Sequence, residues 1–101
     1  MLLDKKEGDL AENMYNKLLA CAHTNQDIMV KMFAYKQLGY TYIQLKRYVS
    51  SLMAFKHMLA VAWTIKSCEG EFSAYEGLAR AYLYQGMIEK VKFYNDRITA
   101  G

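Results

Sequence analysis

Proline is absent from all 101 residues, and glycine occurs only six times. Proline removes a helical donor and clashes with the preceding turn, so nothing here forbids long uninterrupted helices. Cysteine is scarce. Cys21 and Cys68 stand far apart with no CxxC spacing, and His23 and His57 are isolated from both. Neither a zinc ligand set nor a disulfide framework can be assembled from that pattern, so no metal and no cofactor is expected. Both cysteines sit in or beside apolar runs and are expected to be free thiols, buried or half-buried, in a reducing compartment. The longest nearly uncharged stretch, Met58 to Ile65, is too short to span a bilayer. Met1-Leu2-Leu3 meets charge at once in Asp4, unlike a secretory leader. A cytoplasmic protein without a membrane partner is the expectation.

Acidic residues are missing from Ile28 to Cys68, a stretch that holds Lys31, Lys36, Lys46, Arg47, Lys56 and Lys66. Acids gather before it (Asp4, Glu7, Asp9, Glu12) and after it (Glu69, Glu71, Glu76). The net charge of +3 is too small to demand nucleic acid, but the basic band could steer an acidic partner. Such a density of charge is also ordinary for a solvated helix surface. Hydrophobic residues make up 53% and charged residues 23%, which indicates one globular domain with a modest core.

What the chain does have is an echo. Tyr35, Leu38, Gly39 and Tyr42 return forty positions later as Tyr75, Leu78, Ala79 and Tyr82. Self-similarity at a fixed period marks a helical repeat, whose units cannot bury their apolar faces alone and must stack. Apolar residues at three-and-four spacing predict about five helices. The first runs from Asp4 to His23, with Leu10, Met14, Leu18 and Ala22 as its inner stripe. The second covers Asp27 to Leu45, with Met32, Tyr35, Leu38 and Tyr42 inward. Gly39 lies in its middle, where close approach of a neighbouring helix backbone would explain it. The third spans Tyr48 to Lys66 (Leu52, Phe55, Leu59, Ala62). Ser67-Cys68-Glu69-Gly70-Glu71 reads as a turn, and the fourth helix as Glu71 to Gln85. Gly86 stops it. The fifth, Met87 to Thr99, carries Ile88, Val91, Tyr94 and Ile98 and is otherwise polar.

Tyr35-x-x-Leu38-Gly39-x-x-Tyr42, followed by Tyr48, Phe55 and Met58, resembles the tetratricopeptide repeat. The segment Tyr75-x-x-Leu78-Ala79-x-x-Tyr82, followed by Gly86 and Ile88, resembles it too. The spacing of forty exceeds that family's usual period of about thirty-four. It is similar to the long-repeat subgroup of polarity and ciliary scaffolds, where segments like Leu59-Ala60-Val61-Ala62 end the second helix. Departures are Val91 for a small residue, Asn95 for an aromatic and Trp63 where proline often closes the unit. The resemblance implies a right-handed all-α solenoid of stacked antiparallel hairpins. One partial unit (4–24, a second helix) would precede a full repeat (27–66) and another (71–100). It also implies an excerpt of a longer array, with neighbouring repeats or subunits covering the terminal helices.

The same resemblance implies a non-catalytic scaffold that binds a partner protein or peptide along its first helices. Lys36, Gln37, Tyr40, Gln44, Glu76, Arg80 and Tyr84 would line that groove, with Phe33, Ile43, Ser73 and Leu83 beside them. Helix geometry sets these residues away from the Leu38/Tyr42 packing stripe. Tyr40 and Arg80 stand where a carboxylate clamp would need asparagine, so that specialised use is not expected. No GxGxxG, phosphate loop, HExxH or nucleophile–base pattern is present, so no enzyme activity is expected. Glu69 and Glu71 point to different faces of any helix they join. A cytoskeletal or ciliary assembly is the implied setting. The alternative class is a nucleic-acid-binding helical repeat using the basic band from Lys31 to Lys66.

Overall fold

A computed structural model describes residues 4–100; Met1, Leu2, Leu3 and Gly101 lie outside the described residues. It is all-α, with five helices in chain order: α1 Lys5–Thr24, α2 Ile28–Gln44, α3 Tyr48–Thr64, α4 Cys68–Tyr84 and α5 Ile88–Ala100. Each helix packs on the next, and α2 also packs on α4. Among the described residues no backbone contact joins α1, α3 and α5 to one another. One side of the molecule is therefore closed by α2 and α4, and the other is splayed.

The four turns are one design repeated. Gln26, Lys46, Lys66 and Gly86 each adopt positive φ, between 55° and 77°. The next amide then donates back to a carbonyl five residues earlier: Asp27 to Ala22, Arg47 to Tyr42, Ser67 to Ala62 and Met87 to Tyr82, at 2.8–3.0 Å. This Schellman closure satisfies otherwise orphaned carbonyls and fixes a three-residue connection. Only Gly86 is free of the Cβ penalty at this conformation. Three of the helices then start on a side-chain cap. Asp4 accepts from the Glu7 amide, Asp27 from Val30 and Ser67 from Gly70. Arg47 gives α3 no such cap.

Several sequence expectations change here. The fourth helix begins at Cys68, three residues before the expected Glu71, because the Ser67 hydroxyl caps it and Gly70 is buried against Met32 and Ala62. The second hairpin accordingly starts before residue 71. On α1 the buried side carries Gly8, Ala11, Tyr15, Leu18 and Ala22, whereas Leu10 and Met14 are 62% and 56% exposed. The two stripes differ by one helix position, and α2 covers only the first. Ile88 on α5 is also exposed. Both cysteines are exposed, not buried, since each falls on an outward arc of its helix.

Phe55 is the centre of the core and is 0% exposed. Its ring lies between Gly39 of α2 and Gly77 of α4. A Cβ at Gly39 would sit 2.5 Å from Phe55 Cζ, and one at Gly77 would sit 2.2 Å from its Cε1. Gly39 is thus required by an inserted aromatic ring, where the sequence suggested an approaching backbone. Ser51, one turn earlier on α3, donates its hydroxyl to the Gly39 carbonyl at 2.9 Å. Tyr40 meets Phe55 edge-on, with ring centroids 5.1 Å apart.

The flanking helices are held differently. Glu12 of α1 accepts from the Tyr42 hydroxyl at 2.5 Å and pairs with Arg47 at 3.2 Å. The Arg47 guanidinium lies 4.8 Å from the Tyr42 ring centre. At the other end Tyr94 of α5 stacks on Tyr82 and lies across Tyr75, each 5.8 Å between centroids. The echo is visible in side-chain pairs: His57 stacks on Tyr35, and Arg97, forty positions on, lies over Tyr75.

Gly77→Ala should lower stability by a net of up to about 2 kcal/mol. The gain in helix propensity is about 1 kcal/mol, and overpacking against Phe55 outweighs it. Urea denaturation checks this, and the loss should shrink in a Phe55→Leu background. Burial first, then the hydrogen bond and charge of Glu12, push the Tyr42 hydroxyl from 10.0 up to about 12. The native state holds this proton more tightly, so the stabilisation is complete below pH 10 and vanishes as pH rises through about 12. Stability measured across that window should fall more steeply in the parent chain than in Tyr42→Phe.

Candidate functional site

Because α2 and α4 are equivalent helices forty residues apart and lie side by side, matching positions become neighbours. Tyr40 then faces Arg80, and Gln44 faces Tyr84. These four residues, with Ile43, line a cavity of about 580 Å³ at the C-terminal ends of the two helices. Lys46 and Tyr48 complete its wall. Tyr48 stacks on Tyr84 with an interplanar angle of 9° and centroids 6.3 Å apart. Tyr40 is half-buried because Phe55 takes one side of its ring; Tyr84 is exposed.

The cavity is cationic and aromatic. Lys46 and Arg80 contribute positive charge, and among the described residues no acid lines it. Arg80 pairs with Glu76 at 3.7 Å, but both side chains are exposed. Such an i,i+4 surface pair is worth only about 0.3–0.5 kcal/mol, so Arg80 can turn to an incoming anion at little cost. Burial raises the Tyr40 hydroxyl above its usual range; the Glu76 charge adds to this and Arg80 opposes it. Tyr40 is therefore a hydrogen-bond donor at neutral pH.

A second cavity, of about 240 Å³, opens at the N-terminal ends of the same helices. Phe33, Lys36 and Ser73, expected in the groove, line it with Met29, Met32 and Met58. The rest of the expected set lies outside both cavities. Gln37 is half-buried, with its carbonyl accepting from Thr41. Glu76 reaches the site only through Arg80. Leu83 is exposed on α4. The sequence reading missed Lys46 and Tyr48 as site residues. The signal for them was the brevity of the α2–α3 connection, which swings both back beside Ile43 and Gln44.

Among the described residues no group of three or more His, Cys, Asp or Glu side chains comes together, and no helix is long and apolar enough to cross a membrane. Among the described residues the lining of the larger cavity holds no histidine, cysteine, serine or carboxylate. What it can do is hold a ligand: a planar or apolar group against Tyr48 and Tyr84, and an anion against Lys46 and Arg80.

Selective ¹³C labelling of tyrosine lets the Tyr40 titration be followed by NMR. Arg80→Gln should raise its pKa further and Glu76→Gln should lower it, if both charges act on that hydroxyl. No family model matches this chain, and no match appears among curated proteins or solved structures.

Proposed function

We propose that this chain is a segment of a right-handed α-solenoid of the tetratricopeptide type. In this reading it acts without catalysis, as a scaffold that holds a partner protein or peptide in the groove between α2 and α4. The observation that carries the reading is the convergence of Tyr40, Gln44, Arg80 and Tyr84, from two units forty residues apart, on one cavity. Aromatic and arginine side chains in a concave site are the residues that most often anchor a partner. The partner's contact segment would carry an acidic group for Lys46 and Arg80 and an aromatic or apolar group for the Tyr48–Tyr84 pair. A cytoplasmic, cytoskeletal or ciliary assembly is the setting we propose, on the resemblance alone.

The repeat register supports neighbours at the N-terminal side. Leu10 and Met14 on α1 correspond, forty positions on, to Ser50 and Ala54 on α3. Those two line a crevice with Tyr35, Leu38 and Tyr42 of the helix before α3. The exposed apolar stripe of α1 is thus the face that an equivalent preceding helix would cover.

The nucleic-acid alternative is less well supported. The cations of the basic band are dispersed: Lys31 lies by the α1–α2 turn, Lys36 and Lys46 in different cavities, and Arg47 is bound to Glu12. They form no continuous track for a phosphate backbone.

The test is affinity capture with the parent chain and with Tyr40→Phe, Arg80→Ala and Tyr84→Ala combined. The variant should keep its helical circular dichroism and lose the captured protein, with binding weakened at least tenfold. A ligand released steeply by salt in proportion to phosphates contacted, and unaffected by the three substitutions, would favour nucleic acid and overturn the groove.

A further inference from the structure

The outer face of α3 carries apolar residues that the fold does not use. Val49, Met53, Lys56, Ala60 and Trp63 recur at alternating spacings of four and three, the period of a coiled-coil seam. All five are exposed, and Val49, Met53 and Trp63 are 69%, 57% and 55% accessible. The ridge spans two heptads, about 21 Å of helix. Single exposed apolar side chains need no explanation, but three large ones aligned on one arc do.

The repeat itself supplies the control. The equivalent arc of α1 is Asp9, Asn13, Asn16, Ala20 and His23, and that of α5 begins Glu89, Phe93 and Asp96. On α1 this arc holds no large apolar residue, and on α5 its first three positions hold one, Phe93, so stacking does not demand the three large apolar residues of α3. They are a local addition. Met53 also lines a crevice of about 250 Å³ between α1 and α3, floored by Leu38 and Tyr42, so the ridge is flanked by space on its α1 side.

Charge and period together define what fits. A seam of alternating four-and-three spacing is the surface a second helix fills, its own side chains entering the holes between Val49, Met53, Ala60 and Trp63. The one full charge on the ridge is Lys56, which has no ion pair among the described residues, and α3 contains no acid. A second copy laid antiparallel would set Lys56 against its own counterpart with no acid to separate them. We infer that this ridge docks a helix from a different protein, one with an apolar seam bordered by glutamate or aspartate. The site is separate from the α2–α4 groove, since none of its five residues lines that cavity.

Trp63 is the only tryptophan and so reports on its own site. The probe is a synthetic three-heptad helix with leucine on its seam and glutamate beside it, titrated into the intact chain. Trp63 emission should shift to shorter wavelength. The same peptide with lysine in place of glutamate should bind at least tenfold more weakly. Met53→Glu, and separately Val49→Glu, should each weaken binding of the glutamate peptide at least tenfold while circular dichroism stays unchanged. Arg80→Ala should leave that binding alone. Equal affinity for the two peptides, binding indifferent to both glutamate substitutions, or no emission change would each overturn the inference. A concentration-dependent dimer in ultracentrifugation that Met53→Glu abolishes would overturn it also, by giving the ridge to self-association.

Discussion

One aromatic ring sets the spacing of the three central helices. Phe55 can be excluded from water only if the helices on both sides offer it bare backbone, and Gly39 and Gly77 do so. Each glycine weakens its own helix by up to about 1 kcal/mol relative to alanine, and a fully buried phenylalanine is worth about 1.5–3 kcal/mol in transfer alone. The exchange is favourable because one ring serves two helices. It also fixes geometry. With Phe55 wedged on one side, α2 and α4 draw together on the other, and the groove with Tyr40 and Arg80 exists because of that approach.

The turns fix the remaining degree of freedom. Left-handed residues at 26, 46, 66 and 86 recur every twenty positions, half the spacing of the sequence echo. Helix lengths are therefore set by where the chain can reverse, and α2, α3 and α4 all contain 17 residues. That uniformity puts residue pairs forty apart at the same height. Tyr40 opposite Arg80 and His57/Tyr35 mirrored by Arg97/Tyr75 are consequences of it.

How much of this was legible follows from what repeats. Apolar three-and-four spacing located five helices, and the resemblance to the tetratricopeptide repeat named Tyr40, Gln44, Arg80 and Tyr84, which equivalent positions on α2 and α4 bring to one cavity. What does not repeat stayed hidden. Gly77 has no glycine counterpart at position 37, so only contact with Phe55 reveals its role. Cys68 to Gly70 look like a turn by composition, and the Ser67 cap overrides that. On α1 two apolar stripes compete, and periodicity alone cannot say which one a neighbour covers. Lys46 and Tyr48 enter the site because the α2–α3 connection is short, a signal that lies in loop length and not in apolar periodicity.

The two ends of this stack are fastened by different forces. The α1 end packs Gly8, Tyr15, Leu18 and Ala22 on α2 and adds a carboxylate, a phenol and a guanidinium, Glu12, Tyr42 and Arg47, whose mutual attraction weakens as dissolved ions screen it. The α5 end rests on the ring of Tyr94 laid against two others, with no ion pair of its own among the described residues and the Arg97 cation lying over Tyr75. A shift in ionic strength would thus act on the charged fastening of the first helix, while the apolar packing at both ends, Tyr15 against Phe33 as well as Tyr94 against Tyr82, stays in place.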